Sequence, residues 1–257
     1  MNAIHDTKKL MAHCVYGYPT IGKSLDMIRT LLNQGIDYLE IQYPFSDPVA
    51  DGPSITQACH TALEHDVSFE SYASTLKTIA DEFPNQTIIA MTYLNPLIQQ
   101  NLSAIAQQWE GSVEHLIIPD LPIEQSHLIS PLTNKNIRPI WLITPGMKAD
   151  RVEHLANNTH DVLYCVTRDG VTGNSDKVAL AEQDQRYFDD VRSVAKTPFL
   201  AGFGIKTAED AQHYASLTNG VIVGSVLLDA YRDADSHTKG LEALESNTQA
   251  LLKAINS

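Results

Sequence analysis

Two carboxylates stand close together early in the chain, each in a setting suited to proton or charge chemistry. Glu40 lies in the strand-like run Ile36-Asp37-Tyr38-Leu39-Glu40-Ile41-Gln42. Side chains alternate faces along a strand, so Leu39 and Ile41 share one side and Tyr38, Glu40 and Gln42 the other. If the second face is a packed interior, ionising Glu40 there without a partner is costly. Desolvation should then lift its pKa towards neutrality, where a general acid/base works best. Pairing with an interior Arg or Lys is the structural alternative. The residues that follow, Tyr43-Pro44-Phe45-Ser46-Asp47-Pro48-Val49-Ala50-Asp51-Gly52-Pro53, include three prolines and one glycine, which makes the loop stiff. It brings Asp51 back over the strand end. Outside the strand, Asp51 should be better solvated and stay ionised, so the two carboxylates can play different roles. Asp-Gly is also a common turn signal, which leaves a plain turn residue as the other reading of Asp51, and Asp47-Pro48 reads as turn chemistry.

Two glycine clusters near the other end of the chain suit anion binding. Gly202-Phe203-Gly204-Ile205 follows one short apolar run, and Gly224-Ser225 follows the next and opens the short helix pattern Val226–Tyr231. Glycines let backbone amides approach an anion, and exposed N–H groups at a helix start favour negative charge. Together Gly202, Gly204, Gly224 and Ser225 read as a phosphate cup. Between the clusters and the carboxylates lies Thr167-Arg168-Asp169-Gly170-Val171-Thr172-Gly173-Asn174, with polar sequence continuing to Gln185. So long a connection is often functional. Gly170 and Gly173 suit the hinges of a lid that closes over substrate; a flexible surface loop is the plainer reading.

Composition narrows the partners. The 257 residues are 43% hydrophobic and 19% charged, with a formal net charge of −13. Such an acidic surface repels phosphate backbones and anionic membranes, so a phosphorylated ligand must be gripped by local backbone amides. Cys14, Cys59 and Cys165 are odd in number and widely spaced, which argues against a disulfide framework or a zinc motif. No His-Glu-x-x-His pair occurs among the ten histidines, and no protein-held metal is expected. No run approaches the roughly 18 apolar residues of a membrane span. The expectation is a reduced, cytoplasmic protein.

The elements that must position these residues alternate along the whole chain. Strand candidates are Met11–Tyr16, Ile36–Gln42, Thr87–Tyr93, Val113–Pro119, Arg138–Thr144, Asp161–Val166, Pro198–Gly202 and Gly220–Val223. Helix candidates lie between them: Ser24–Gln34, Phe69–Phe83, Leu102–Trp109, Gln125–Asn134, Ala149–Ala156, Gln183–Ala195, Thr207–Ser216 and Gly240–Ile255. Thr207 followed by Asp210 is a start of the capping-box kind. Strand alternating with helix implies a parallel sheet. Eight such units in one pass predict a single α/β domain over 1–257, a (β/α)8 TIM barrel with its site where the strands end. An open doubly wound sheet is less well supported, since no Gly-x-Gly-x-x-Gly follows the first strand.

The segment Leu39 to Pro53 resembles the signature of the tryptophan synthase α chain family. So do Arg168 to Gly173, Gly202-Phe203-Gly204 and Gly224-Ser225, in the family's order and at its spacings, and the resemblance covers nearly the whole chain. It implies a barrel lyase that cleaves indole-3-glycerol phosphate to indole and glyceraldehyde 3-phosphate, paired with a β chain in an α2β2 assembly. The pyridoxal phosphate of that assembly belongs to β, so no cofactor is expected here. By this resemblance Glu40 is the general acid/base and Asp51 binds the indole N–H and offsets the charge of the protonated ring. Tyr93, Tyr164, Thr172 and Phe203 bind substrate, and Thr172 closes onto Asp51. Gly173, Gly202, Gly204, Gly224 and Ser225 hold the phosphate. Pro44, Asp47, Asn95 and Pro122 belong to the interface with β, and Asp120-Leu121-Pro122 lies near the pocket.

The sequence also departs from the commoner family pattern. Ten residues precede the first strand candidate, so the usual N-terminal helix is shortened or missing. His13 stands where many members carry Phe, Val15 replaces Thr, Tyr18 replaces Asp, and Gln42 and Tyr43 replace Gly and a small aliphatic. These changes bear on the shape of the indole pocket and on coupling to β; His13 reads as a pocket wall rather than a catalyst. Two other functions compete. A sugar-phosphate isomerase or epimerase explains the glycines but not the carboxylate pair. A protein that mainly activates a β chain would explain the altered pocket.

Overall fold

A computed structural model describes residues 7–167 and 177–257. Its strands are β1 Lys9–Val15, β2 Tyr38–Gln42, β3 Thr87–Met91, β4 His115–Ile117, β5 Arg138–Pro139, β6 Leu142–Ile143, β7 Leu163–Val166, β8 Phe199–Gly202 and β9 Gly220–Val223. All pair in parallel, in the order β5-β4-β3-β2-β1-β9-β8-β7-β6. The two ends of that order are consecutive in the chain. β5 and β6 are the two pieces of the expected strand Arg138–Thr144, so the sheet curls back on itself as an α/β TIM barrel. Arg138 N and Ile140 N donate to the carbonyls of Glu114 and Leu116 on one side, while Trp141 O accepts from Tyr164 N on the other. Pro139 has no N–H to give, and the ladder switches neighbour just after it.

The alternation read from the sequence sorts the side chains. Leu39 and Ile41 lie in the layer between strands and helices, whereas Tyr38 packs against the inner cluster with Met11, Ile89 and Ile222. Glu40 and Gln42 point the same way as Tyr38. The strand ends are shorter than expected on most strands because the pairing stops where the chain leaves the ring.

Three helical regions differ from expectation. A helix at Pro53–Leu63 follows the stiff loop directly, with Pro53 in its first turn, where a missing N–H costs nothing. Its buried face is Ala58, Cys59 and Ala62, residues too small to make a strong apolar period. A short helix at Leu94–Ile98 has no counterpart among the expected elements. The expected helix Gln125–Asn134 is a 3-10 turn at Ile123–Ile129 followed by Ser130–Thr133; Pro131 cannot continue the hydrogen-bond pattern from the preceding turn. The capping box at Thr207 and Asp210 is present. The shortened N-terminal helix concerns the chain before β1, of which residues 1–6 lie outside the described residues. No helix among the described residues is long and apolar enough to cross a membrane.

Candidate active site

The strand ends open on a cavity of about 520 Å³. Glu40, Asp51, Tyr164, Phe203, Gly204, Gly224 and Ser225 all line it, so the two carboxylates and the glycine rim face one space. Glu40 is only 4% exposed. It makes no hydrogen bond or ion pair among the described residues, so the expected alternative of a structural Arg or Lys partner is not met there. Burial first, and the facing charge of Asp51 second, push its pKa up to about 8. A carboxyl so placed is protonated at neutral pH and can give that proton away.

Asp51 differs from expectation. It is drawn under the loop rather than well solvated: desolvation raises its pKa, opposed by His13 and by hydrogen bonds from Gln42 and Tyr93. Gln42 Nε2 donates to Asp51 Oδ2 at 2.7 Å and the Tyr93 hydroxyl donates to the same oxygen at 3.2 Å. The loop's own turn bond runs from Asp51 N to Pro48 O at 2.9 Å and involves no side chain. The Asp51 carboxylate is therefore not needed to close the turn.

Tyr93 does not line the cavity. It is fully buried, and its hydroxyl accepts from Ala50 N at 2.9 Å while donating to Asp51. Its place is behind Asp51, where it pins the loop. Phe203 lies in the left-handed backbone region at φ 71°, a conformation that costs a side chain with a Cβ about 1–3 kcal/mol. Thr167 holds it there: Thr167 N donates to Gly202 O at 2.7 Å and Thr167 Oγ1 to Phe203 O. The turn tilts the Phe203 ring against Tyr164, centroids 5.9 Å apart. Gly202 sits behind this pair rather than on the rim. A Cβ there would stand 2.6 Å from Tyr164 Cε1, so only glycine leaves room for the Tyr164 ring.

The two helix starts near the rim are not equivalent. Thr207 and Asp210 cap the helix Ala208–Leu217: Thr207 Oγ1 accepts from Asp210 N in its first turn, and Asp210 Oδ2 accepts from Thr207 N. The helix Ser225–Arg232 has no side-chain cap, and its first residue lines the cavity. Uncapped N–H groups at a cavity wall suit an anion. Lys206, exposed and two residues past Gly204, lines the same cavity. It is the only Lys or Arg among the described lining residues, and sequence reasoning misses it because one lysine beside a turn carries no signal of its own. Asp229 lines the cavity too, paired with Arg232 at 2.7 Å.

Thr172, Gly173 and the hinge Gly170 lie outside the described residues. Of the residues expected at a partner interface, Asp47, Asn95 and Pro122 are exposed, whereas Pro44 is buried. Val49, 83% exposed, stands on the same loop as Asp47. Asp120 braces the neighbouring loop by accepting from Leu94 N at 2.8 Å. The departures from the commoner pattern divide by direction. Tyr43 packs outward against Phe69 and Tyr72 at 4.9 and 5.4 Å. Val15 and Tyr18 are buried away from the cavity. His13 faces in and Gln42 stands beside it, hydrogen-bonded at 2.8 Å.

The model of the tryptophan synthase alpha chain family matches residues 2–256. The chain belongs to the tryptophan synthase alpha chain family. A tryptophan synthase alpha chain from Legionella pneumophila is 32% identical over 253 residues, 97% of this chain and 92% of the relative. One from Streptococcus pneumoniae is 35% identical over 212 residues, 82% and 80% of the two chains. The crystal structure of tryptophan synthase subunit alpha from Legionella pneumophila superposes with a TM-score of 0.85 at 28% identity, covering 96% of this chain and 92% of that one. Membership in the alpha chain family accounts for a barrel whose carboxylates and glycine rim meet at one end.

Proposed function

We propose that this chain is a lyase that cleaves indole-3-glycerol phosphate into indole and glyceraldehyde 3-phosphate, as one domain over 1–257. The observation that carries the reading is the shared cavity, lined by Glu40 and Asp51 together with Gly204, Gly224 and Ser225. The phosphate rests on the uncapped start of the helix Ser225–Arg232, and the indole ring lies by Tyr164 and Phe203. Glu40 begins protonated and gives its proton to the ring carbon that bears the side chain. It then takes the proton of the adjacent hydroxyl as the carbon–carbon bond breaks, so one proton enters and one returns. Asp51 accepts the indole N–H and offsets the positive charge of the protonated ring. Thr172 and Gly173 belong to the lid in this reading.

The chain works as the α subunit with a tryptophan synthase β chain, docked on the barrel top through Asp47, Asn95 and Pro122. Its place is the cytoplasm, a reducing compartment in keeping with three free, buried cysteines. Neither nucleic acid nor membrane is a partner, in keeping with the net charge of −13. The test is to supply indole-3-glycerol phosphate and measure free indole with and without a β chain. Turnover should be slow alone and rise when β is added. Absence of indole in both cases overturns the reading; a rate unaffected by β, with no binding, points to a free-standing lyase.

Lys206 supplies a second check on the orientation of substrate. A cation at the phosphate end contributes about 1 kcal/mol through solvent. Lys206→Ala should therefore raise KM roughly fivefold with little change in kcat. An unchanged KM would place the phosphate elsewhere.

A further inference from the structure

His13, Gln42 and Asp51 form a continuous hydrogen-bonded line across the wall of the cavity. Gln42 is fully buried at the end of β2, one pleat above Glu40. His13 on β1 is level with Glu40 in the strand register. Gln42 Nε2 lies 2.7 Å from Asp51 Oδ2 and Gln42 Oε1 lies 2.8 Å from His13 Nε2. The direction of this line follows from what each atom can do. Facing a carboxylate, the amide presents its N–H2, which turns its carbonyl to His13. Facing a carbonyl, His13 presents Nε2–H, which leaves Nδ1 as the bare nitrogen. Burial lowers the pKa of His13 and favours this neutral ring.

We propose that Gln42 and His13 are positioning residues for Asp51: the buried amide, itself oriented by the His13 ring N–H, fixes which way the Asp51 carboxylate faces the cavity and helps keep it ionised. The proposal rests on the reading of Asp51 as the partner of the indole nitrogen. It concerns two residues that stand apart from the acid/base pair and that the sequence marks only as departures from a commoner pattern. Tyr93 holds the same oxygen from the other side, so the carboxylate is clamped between donors from the ends of β2 and β3.

The groups that face Asp51 are His13 from β1, Glu40 from β2, Cys59 from the helix Pro53–Leu63, Tyr93 after β3 and Tyr164 on β7. Glu40 holds its proton to about 8, and the thiol and both phenols are raised, so in acid only Asp51 and His13 titrate. A donor to the ionised form lowers an acid's pKa; removing Gln42's amide must move Asp51 upward.

Gln42→Met keeps length and volume while deleting the amide, and Gln42→Leu serves should the first not fold. Two readouts are needed: the Asp51 midpoint by carboxyl-carbon NMR, which needs no turnover, and the pH profile of indole release. In the variant the Asp51 midpoint and the acid limb of kcat/KM should both move to higher pH, with kcat/KM down about tenfold at neutral pH. At neutral pH His13→Phe should cause a smaller loss, and the double variant should be no worse than Gln42→Met alone, because the uncharged His13 ring acts through the amide. An unmoved Asp51 midpoint, or losses that multiply independently, overturns the proposal. If Asp51 moves as expected but the unaltered protein releases no indole, the lyase reading fails and the positioning role stands.

Discussion

Glu40→Gln should reduce indole release by about 100-fold or more while leaving the fold intact, the lower range of what a positioned general acid/base contributes. The amide keeps the volume of the side chain but cannot give up or take a proton. Because burial and Asp51 hold Glu40 at about 8, the unaltered enzyme should lose activity as pH rises through that value and the acid form disappears. The variant should show no such limb. Stability carries a second signature of the same proton. Between the ordinary 4.5 and about 8 the folded state keeps a proton that the unfolded chain has lost, so the unaltered protein becomes less stable as pH rises through that window. Glu40→Gln lacks this loss, and its stability relative to the parent should grow over the same range in urea unfolding. Near-normal turnover would remove Glu40 from the chemistry. A variant that is inactive but gains nothing on the parent in alkali would mean the carboxyl is not buried as a cost to the fold.

Asp51→Asn should be impaired by about 100-fold in kcat, the usual loss when one preorganised group that offsets transition-state charge is removed. The reason is local. The substitution leaves the turn intact, since that bond runs through the backbone of Asp51 to Pro48. It removes the charge, and because Gln42 and Tyr93 both donate to Oδ2, the amide keeps its oxygen with them and turns its N–H2 to the other position, where the indole N–H needs an acceptor. KM should rise less than kcat falls, because the charge matters most once the ring is protonated. Retention of most activity, with the protein folded, would make Asp51 a loop residue only. A thermal melt recorded alongside separates loss of chemistry from loss of structure.

Both carboxylates are legible in the sequence, for different reasons. Glu40 follows from a period of two, which is local and survives into any sheet that buries that face. Asp51 follows from the prolines that stiffen its loop. The order of strands and helices is local in the same way, and eight units in one pass leave few topologies. The glycine clusters are legible because they follow the last two strands, although Gly202 accommodates Tyr164 rather than lining the rim. The helix Pro53–Leu63 is hidden because small buried residues give little apolar contrast. The break in Arg138–Thr144 is hidden because it depends on which strands lie on either side, not on the segment itself.

Residue type and spacing are enough to establish the parallel alternation, the inward row of Tyr38, Glu40 and Gln42, the stiffness of the loop that carries Asp51, and the family. Such signals act over a few neighbouring residues and need no knowledge of what packs against them. The assembled barrel alone settles that Asp51 is desolvated and clamped by Gln42 and Tyr93, that Tyr93 stands behind the cavity, that Pro44 is buried and that Lys206 joins the cavity lining. Each of these depends on ring closure, which brings together groups from separate strands. Solvation and hydrogen-bond direction are set by those neighbours, and a one-dimensional pattern does not contain them.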